Sequence, residues 1–405
     1  MKEFAGKKFL LIEENGSVPV DLRPWREALS LMGAGAEVFI ICPKTNSRYH
    51  KEKFVMINGI HIYRYKQNLC NGTRFGYFKE YITAFIKVLL LIHKVLFRHF
   101  PIHVVHVANP PDMFWPLGFY LRLYGTRFIF DQHDLCPETY LSRYRIDEKN
   151  AGLIYKIQKL MERLTYKVAD AIISTNESYR AKAINVNATY ASKTFVVRNG
   201  PDTRFFKPRL PNLSLKKGRS FLGVYIGVMS VQDGVDYIVR AMDIIVNKNK
   251  FTNLIVYLIG LGEEVPRLKQ LTHHLKLDDY IVFTGFIPHE QIPEIVSTAD
   301  LCLSPDPRNP LNDFSTMVKI MEYMALGKPI VSFDLKESRY SAGDAAIYVE
   351  NNSVQAFAEG ILKLINDPNL SKKMGEIGKT RIEKELCWQK QEINLLNVYI
   401  YVLSK

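Results

Sequence analysis

Lys319 and Glu322 stand three residues apart in the segment NDFSTMVKIMEYMALGKPIV, residues 312–331. In a helix that spacing puts them one turn apart on a shared face. Ser315 or Thr316 is placed to cap the start of this helix, with Lys319 near its positive end. Free backbone N–H groups at such an end suit a phosphate, and the lysine adds a point charge. A carboxylate one turn later suits a ribose, whose vicinal hydroxyls can both donate to it. The alternative is a solvated Lys–Glu pair on a helix surface. Ile320, Met321, Met324 and Ala325 make the surroundings of Glu322 apolar, which favours the nucleotide reading over a merely solvated carboxylate.

His133 is the second candidate. It ends the apolar run RFIFDQHD, and ligands of open α/β sheets bind beyond the carboxyl ends of strands. The plainer alternative is a histidine hydrogen-bonded to Asp134 or Asp131 in a rigid turn. Asn109 and Asp112, in ANPPD, lie at another strand end, where they line an acceptor side or form a structural turn. Gly16 follows the first strand, where glycine permits close backbone approach or simply turns the chain. Arg23 and Arg26 are the nearby cations, and neither is singled out. Glu138, after Pro137, serves to open a helix.

The elements that must position these residues are strands alternating with helices. KKFLLIEEN, AEVFIICPK, HVVHVAN, RFIFDQHD and ADAIISTN read as buried strands in the first half. FLGVYIG, LIVYLIG, YIVFTG, DLCLSP and PIVSFD repeat the pattern in the second. A Pro-, Gly- and Lys-rich stretch between Asn199 and Gly218 separates the halves. The fold class expected is therefore α/β, two doubly wound Rossmann-like domains. The expected boundaries are residues 1–207, residues 208–376, and a helix over 377–405 that packs back toward the first domain.

Composition excludes several classes. The chain has 405 residues, 47% of them hydrophobic and 23% charged, which is ordinary globular composition. Its five cysteines, Cys42, Cys70, Cys136, Cys302 and Cys387, show no CxxC spacing, and no HExxH is present. No Asp-x-Asp offers a metal-bridged diphosphate site, and no GxGxxG follows the first strand of either half. Residues 1–200 hold 29 Lys+Arg against 17 Asp+Glu, while residues 201–405 are nearly balanced. The first half is thus expected to meet something anionic, and the apolar-basic stretch over residues 78–98 suggests a membrane surface, against the alternative of a buried helix. It is interrupted by Lys87, His93 and Lys94 and does not read as a transmembrane helix. No nucleic-acid motif appears.

At this point the chain resembles the retaining glycosyltransferases of family 4. The segment 312–331 is similar to their signature. VVRNGPDTRFFKP (196–208), YIGVMSVQDGVD (225–236), LIGLGEE and VFTGFIPHEQIPEIVSTADLCLSP follow in the family's order, and the first half resembles bacterial polysaccharide-building members. The resemblance implies a GT-B fold with a deep interdomain cleft. It implies transfer of a sugar from a nucleotide diphosphate donor with retained anomeric configuration, no metal and no cofactor. Glu322 then matches the ribose-binding glutamate, Gly285 and Ile287 lie where backbone meets the base, and His133 sits near the transferred sugar. Gly16 and Gly227 fall in glycine turns near substrate, and Asp134 lies beside His133.

Two departures matter. Eight positions before Glu322 the family places a second glutamate, but here stands Phe314, with Asp313 one step off as a substitute. The Arg and Lys that clamp the diphosphate near the glycine turn are missing from Gly227–Gly234. Lys319 with the helix start at Ser315 and Thr316 is expected to replace them. A UDP-sugar is favoured over a GDP-sugar, and the acceptor expected is a lipid-linked glycan at the cytoplasmic face of the membrane. The alternatives are a non-catalytic nucleotide-sugar-binding scaffold and a same-fold nucleotide-sugar epimerase.

Overall fold

The computed structural model describes residues 3–14, 16–44, 52–67, 74–144 and 146–405; Cys70 lies outside them. The chain forms two compact units, Met1–Val197 with Glu392–Lys405, and Arg198–Gln391. Unit 1 carries β1 (Lys8–Ile12), β2 (Glu37–Pro43), β3 (Phe54–Ile57) and β4 (Ile60–Tyr65). It continues with β5 (Val104–Ala108), β6 (Arg127–Gln132), β7 (Ala171–Ser174) and β8 (Thr194–Val196). Its helices are α1 (Leu22–Gly33), α2 (Arg74–His99), α3 (Trp115–Arg122), α4 (Cys136–Tyr144), α5 (Leu153–Val168) and α6 (Glu177–Val186). The strands form one sheet in the order β3-β4-β2-β1-β5-β6-β7-β8. All neighbours are parallel except β3 and β4.

Unit 2 carries β9 (Phe221–Ile226), β10 (Leu254–Ile259), β11 (Ile281–Gly285), β12 (Leu301–Ser304), β13 (Ile330–Phe333) and β14 (Ala346–Val349). They form a parallel sheet in the order β11-β10-β9-β12-β13-β14. Between and after them run α7 (Val235–Met242), α8 (Val265–His274), α9 (Ile292–Thr298), α10 (Val318–Ala325), α11 (Lys336–Ala342), α12 (Val354–Asn366) and α13 (Pro368–Arg381). The last helix, α14 (Trp388–Leu403), begins in unit 2 and ends in unit 1.

The inner strands of each sheet are buried on both faces, which is why these segments read as unbroken apolar runs. In β10, Leu254, Val256 and Leu258 join a core with α7 and α12, while Ile255, Tyr257 and Ile259 join another with α9 and α10. In each sheet the order of strands reverses once. The reversal falls between β1 and β5 in unit 1 and between β9 and β12 in unit 2. Crevices at such reversals, beyond the strands' carboxyl ends, are where open α/β sheets bind ligands.

The unit boundaries differ from those expected. Unit 1 ends at Val197 rather than 207, and the return to it starts at Glu392 rather than 377. Residues 198–207 belong to unit 2 because they pack on its end. The Trp388 amide donates to the Pro201 carbonyl at 2.9 Å, and Gln389 Nε2 to Asp202 Oδ1 at 2.6 Å. Gly200 lies so close to this strand of chain that a Cβ there would stand 1.8 Å from the Leu386 carbonyl oxygen. In unit 1, α14 sets Tyr399 against Phe9 with ring centres 4.7 Å apart.

Among the described residues no helix is long and apolar enough to cross a membrane. On α2, Ala84, Val88, Ile92 and Val95 are buried in the core, whereas Ile86, Leu90 and Phe97 face outward. Gly200→Ala is expected to destabilise the protein by about 1–3 kcal/mol. The check is a urea unfolding curve with a lowered midpoint and an unchanged slope.

Candidate active site

In unit 2 the site is built from strand ends. β9 runs into Gly227, whose φ of +153° suits glycine, and the Tyr225 hydroxyl closes the turn by donating to the Val228 carbonyl at 2.7 Å. This turn lies backbone to backbone on the loop after β10. A Cβ on Gly260 would stand 1.9 Å from the Gly227 oxygen, and one on Gly262 would stand 2.2 Å from the Met229 oxygen. The Gly260 amide donates to the Gly285 carbonyl at 3.0 Å, which brings the end of β11 alongside. Ile287, two residues on, is half-buried against the apolar core.

Lys319 reaches this turn from the second position of α10. Its Cε lies 3.3 Å from where a Cβ on Gly227 would be, and its ammonium is 5.0 Å from the centre of the Tyr225 ring. Lys319 and the glycine turn are therefore brought together. The lysine is not a free cation, however. Its Nζ is paired at 2.7 Å with Oδ1 of Asp306, a buried residue just past β12. Ser304 Oγ donates to the other Asp306 oxygen at 2.6 Å. Ser230 donates its amide to Asp233 Oδ2 at 2.9 Å and its hydroxyl to Glu263 Oε2 at 2.8 Å. Burial pushes the Asp233 carboxyl up to about 6, against the pull of Lys319.

The start of α10 corrects the capping expectation. The N-cap residue is Met317, and no side chain caps the helix. Ser315 and Thr316 precede the helix, and their hydroxyls are engaged elsewhere. Ser315 Oγ donates to the Leu311 carbonyl at 2.8 Å, and Thr316 Oγ1 lies 3.5 Å from Glu337. Glu337 is itself buried beside Arg198, 3.4 Å away. Glu322 is half-buried one turn beyond Lys319, between the buried Met321 and Tyr323. Asp313 is held at the start of α11, where its Oδ1 accepts from the Lys336 amide at 3.1 Å. Phe314 has the Lys336 ammonium 5.8 Å from its ring centre.

In unit 1 the strand ends beside the reversal carry a connected polar cluster. Asn109, after β5, accepts from the amides of His133 (2.6 Å) and Asp134 (3.0 Å) through one oxygen. Its amide nitrogen donates to Asp112 Oδ1 at 2.7 Å and the Asp134 carbonyl at 2.8 Å. His133, Asp134 and Asn109 are thus brought together. His133 Nε2 lies 2.8 Å from Asp131 Oδ2 and 2.9 Å from Arg23 Nε. Gly16, after β1, borders the α1 N-cap: a Cβ there would stand 2.5 Å from Asp21 Oδ2.

The plainer alternative for His133, a hydrogen bond to Asp131, is present, and the other charges around it, Glu27 and the pairing of Arg23, are ones that sequence patterns did not assign. Arg23 from α1 grips both oxygens of Asp131 at 2.9 Å, and Glu27 lies one turn on, 3.2 Å from Arg23 Nε. His106 Nε2 lies 3.3 Å from Asp131 Oδ2, and its Nδ1 is 2.8 Å from the Tyr399 hydroxyl. Although burial alone raises it, Arg23 and His133 hold the Asp131 carboxyl well below the usual range. Burial pushes the Glu27 carboxyl well above its ordinary range, against the pull of Arg23, and the His106 imidazole below its own. Glu27, Asp131 and His133 have metal-ligand types within reach of one another. The cation they hold is the Arg23 guanidinium. Arg23 was legible only as a nearby basic residue, because its partner lies 108 positions away.

Both sheets and both reversals define a class: the two-domain GT-B glycosyltransferase fold. The sucrose-phosphate synthase of Thermosynechococcus elongatus superposes with a TM-score of 0.79 at 17% identity, covering 98% of this chain and 99% of that one. HepE from Anabaena, solved in complex with UDP, gives 0.69 at 14% identity over 97% and 99%. Residues 23–200 match the family described as "Glycosyl transferase 4-like domain", and residues 221–367 match "Glycosyl transferases group 1". The chain belongs to the glycosyltransferases built from these two domains, the family 4 type. Its curated relatives are distant. The match to the alpha-D-kanosaminyltransferase of Streptomyces kanamyceticus is 26% identical and spans 38% of each chain. The match to the capsular polysaccharide biosynthesis glycosyltransferase CapM of Staphylococcus aureus is 25% identical over 62% of this chain and 67% of that one.

Burial, with the Glu162 charge, pushes the Asp112 carboxyl up to about 7. The folded protein therefore holds a proton there that the unfolded chain releases near pH 4. Unfolding stability is expected to fall as pH rises from about 4 to about 7. Asp112→Asn is expected to flatten this slope by an amount on the order of 2–4 kcal/mol, read from urea unfolding at stepped pH.

Proposed function

We propose that this chain transfers a sugar from a nucleoside diphosphate sugar to a hydroxyl of a lipid-linked glycan during assembly of a surface polysaccharide, retaining the anomeric configuration and using no metal. The observation that carries this reading is the β9–β12 crevice, where the Gly227 turn, the Lys319 side chain and the uncapped start of α10 converge. Backbone N–H groups at a helix start and a lysine are what a leaving diphosphate needs. Glu322 accepts the ribose hydroxyls one turn along, and the Gly285–Ile287 backbone meets the base. UDP is the preferred nucleotide, in line with the UDP held by HepE.

The acceptor hydroxyl attacks the face of the sugar from which the diphosphate departs. A leaving phosphate oxygen takes the acceptor proton, so no protein nucleophile is needed. His133 orients the transferred sugar, its ring fixed by Asp131 and Arg23. Its Nε2 accepts from Arg23 when neutral at that atom and donates to Asp131 when protonated there.

The acceptor's lipid end is met by unit 1 at the cytoplasmic membrane surface. The outward face of α2 presents Leu90 and Phe97, and α5 presents Leu153, Ile157 and Leu160 at helical spacing. Exposed Lys156 and Arg163 flank the α5 stripe. Apolar stripes with lysine and arginine beside them suit anionic lipid headgroups.

A thermal-shift panel with UDP, GDP, ADP and CMP in EDTA tests the donor reading. A ligand at a hundredfold excess over its dissociation constant adds ~2.7 kcal/mol. UDP is expected to raise the transition, and Glu322→Ala to lose most of that rise. No rise with any nucleotide in the folded protein would refute the donor site. Sedimentation with anionic and with neutral vesicles tests the membrane surface. Paired Leu90→Ser and Phe97→Ser changes are expected to reduce binding to the anionic vesicles severalfold.

A further inference from the structure

The Lys319–Asp306 pair is an unusual thing to find at a phosphate subsite, because it neutralises the lysine before any ligand arrives. Asp306 is 2% exposed and fixed through both oxygens, one on Lys319 Nζ and the other on the Ser304 hydroxyl. It stands at the end of β12, directly across the strand-order reversal from the Gly227 turn at the end of β9. Lys319 lies between the two. Asp233 and Glu263, which hold Ser230 on the same turn, add carboxyl groups rather than cations. Lys319 thus lies near the carboxyl groups of Asp306 and Asp233, and its charge is already matched by the first.

Resting on the donor reading above, we propose that Asp306 is a fixed competitor for the phosphate, sharing Lys319 with it. An ammonium has three donors, so Lys319 can touch a phosphate oxygen while still bonded to Asp306. The ligand then meets a lysine whose field is partly cancelled. The consequence is deliberately weak retention of the nucleoside diphosphate, so that it leaves after the sugar has been transferred. Product release is a common limit on turnover, and a competitor of this kind acts on that step. Asp306 is in this sense a positioning residue for affinity, not a group that touches the reacting atoms.

The sign of the effect separates this role from a structural one. A carboxylate that merely holds Lys319 in place makes the phosphate site better, and its loss weakens binding. A competitor makes the site weaker, and its loss tightens binding. Ser304 supplies an independent handle. Its hydroxyl draws charge from Asp306, so removing it leaves a stronger claim on Lys319 and a weaker phosphate site.

The experiment is isothermal titration of the full chain with UDP and with uridine, and stopped-flow release of a fluorescent UDP analogue. Asp306→Asn is expected to bind UDP about tenfold more tightly, which is ~1.4 kcal/mol, with a matching slowing of release and no change for uridine. Ser304→Ala is expected to bind UDP two- to threefold more weakly, and Lys319→Met at least tenfold more weakly. Equal or weaker UDP binding by a folded Asp306→Asn protein overturns the proposal. If that variant does not fold, unchanged or tighter UDP binding by Ser304→Ala overturns it instead. Wild-type protein that binds UDP through Lys319 but is indifferent to Asp306 defeats this inference alone. Wild-type protein that binds neither UDP nor GDP defeats the donor reading and this inference together.

Discussion

The close approach of two backbones governs unit 2. The loop leaving β9 lies directly on the loop leaving β10, and only glycine at 260 and 262 leaves room for it. A side chain at 260 or 262 would lift one loop from the other. The Tyr225 hydroxyl would then lose the Val228 carbonyl, and Lys319 would lose the surface it lies along. Because the strands are parallel, their carboxyl ends share one edge of the sheet. Residues from β9, β10, β11 and β12 therefore converge there with the start of α10, although they span almost a hundred positions in sequence. The reversal of strand order between β9 and β12 opens the crevice into which they face.

Unit 1 solves a different problem, which is to hold charge inside an apolar sheet. Asp131 is fully buried yet ionised, and it is tolerated because Arg23 meets it with a two-pronged grip and His133 lies within hydrogen-bond distance of it. A buried ion pair is a poor source of stability by itself, since desolvation offsets most of the attraction. Its value here is placement. Asp131 and Arg23 fix the His133 ring, while Asn109 fixes its backbone from the neighbouring strand. Tyr399, from the last helix, closes the far side of the cluster through His106.

Much of the fold was legible because a buried parallel sheet imposes a simple pattern. LIVYLI at β10 and FLGVYI at β9 are apolar at every position because both faces are covered, and alternating helices complete the signal. The unit boundary was less legible. The Pro- and Gly-rich stretch reads as a linker from its composition, but residues 198–207 bond to 388 and 389, which no local pattern reveals. The helix start at Val318 was placed too early for a similar reason. Ser315 and Thr316 are good capping types, yet their hydroxyls are used by Leu311 and Glu337.

The site shows the same division. Lys319 and Glu322 were singled out by residue type and helical spacing, which depend only on neighbours along the chain, whereas Gly227 and Gly285 entered through the family resemblance. The sequence by itself determined two doubly wound units, their strands, and the residues offered at the strand ends. Only the tertiary structure decided which of those charges are paired. Asp306 neutralises Lys319 across 13 positions, and Arg23 reaches Asp131 across 108. Those pairings follow from strand order and from which side chains end up buried side by side. Electrostatics inside a protein depends on distance and solvent exclusion, and neither is written in the local sequence.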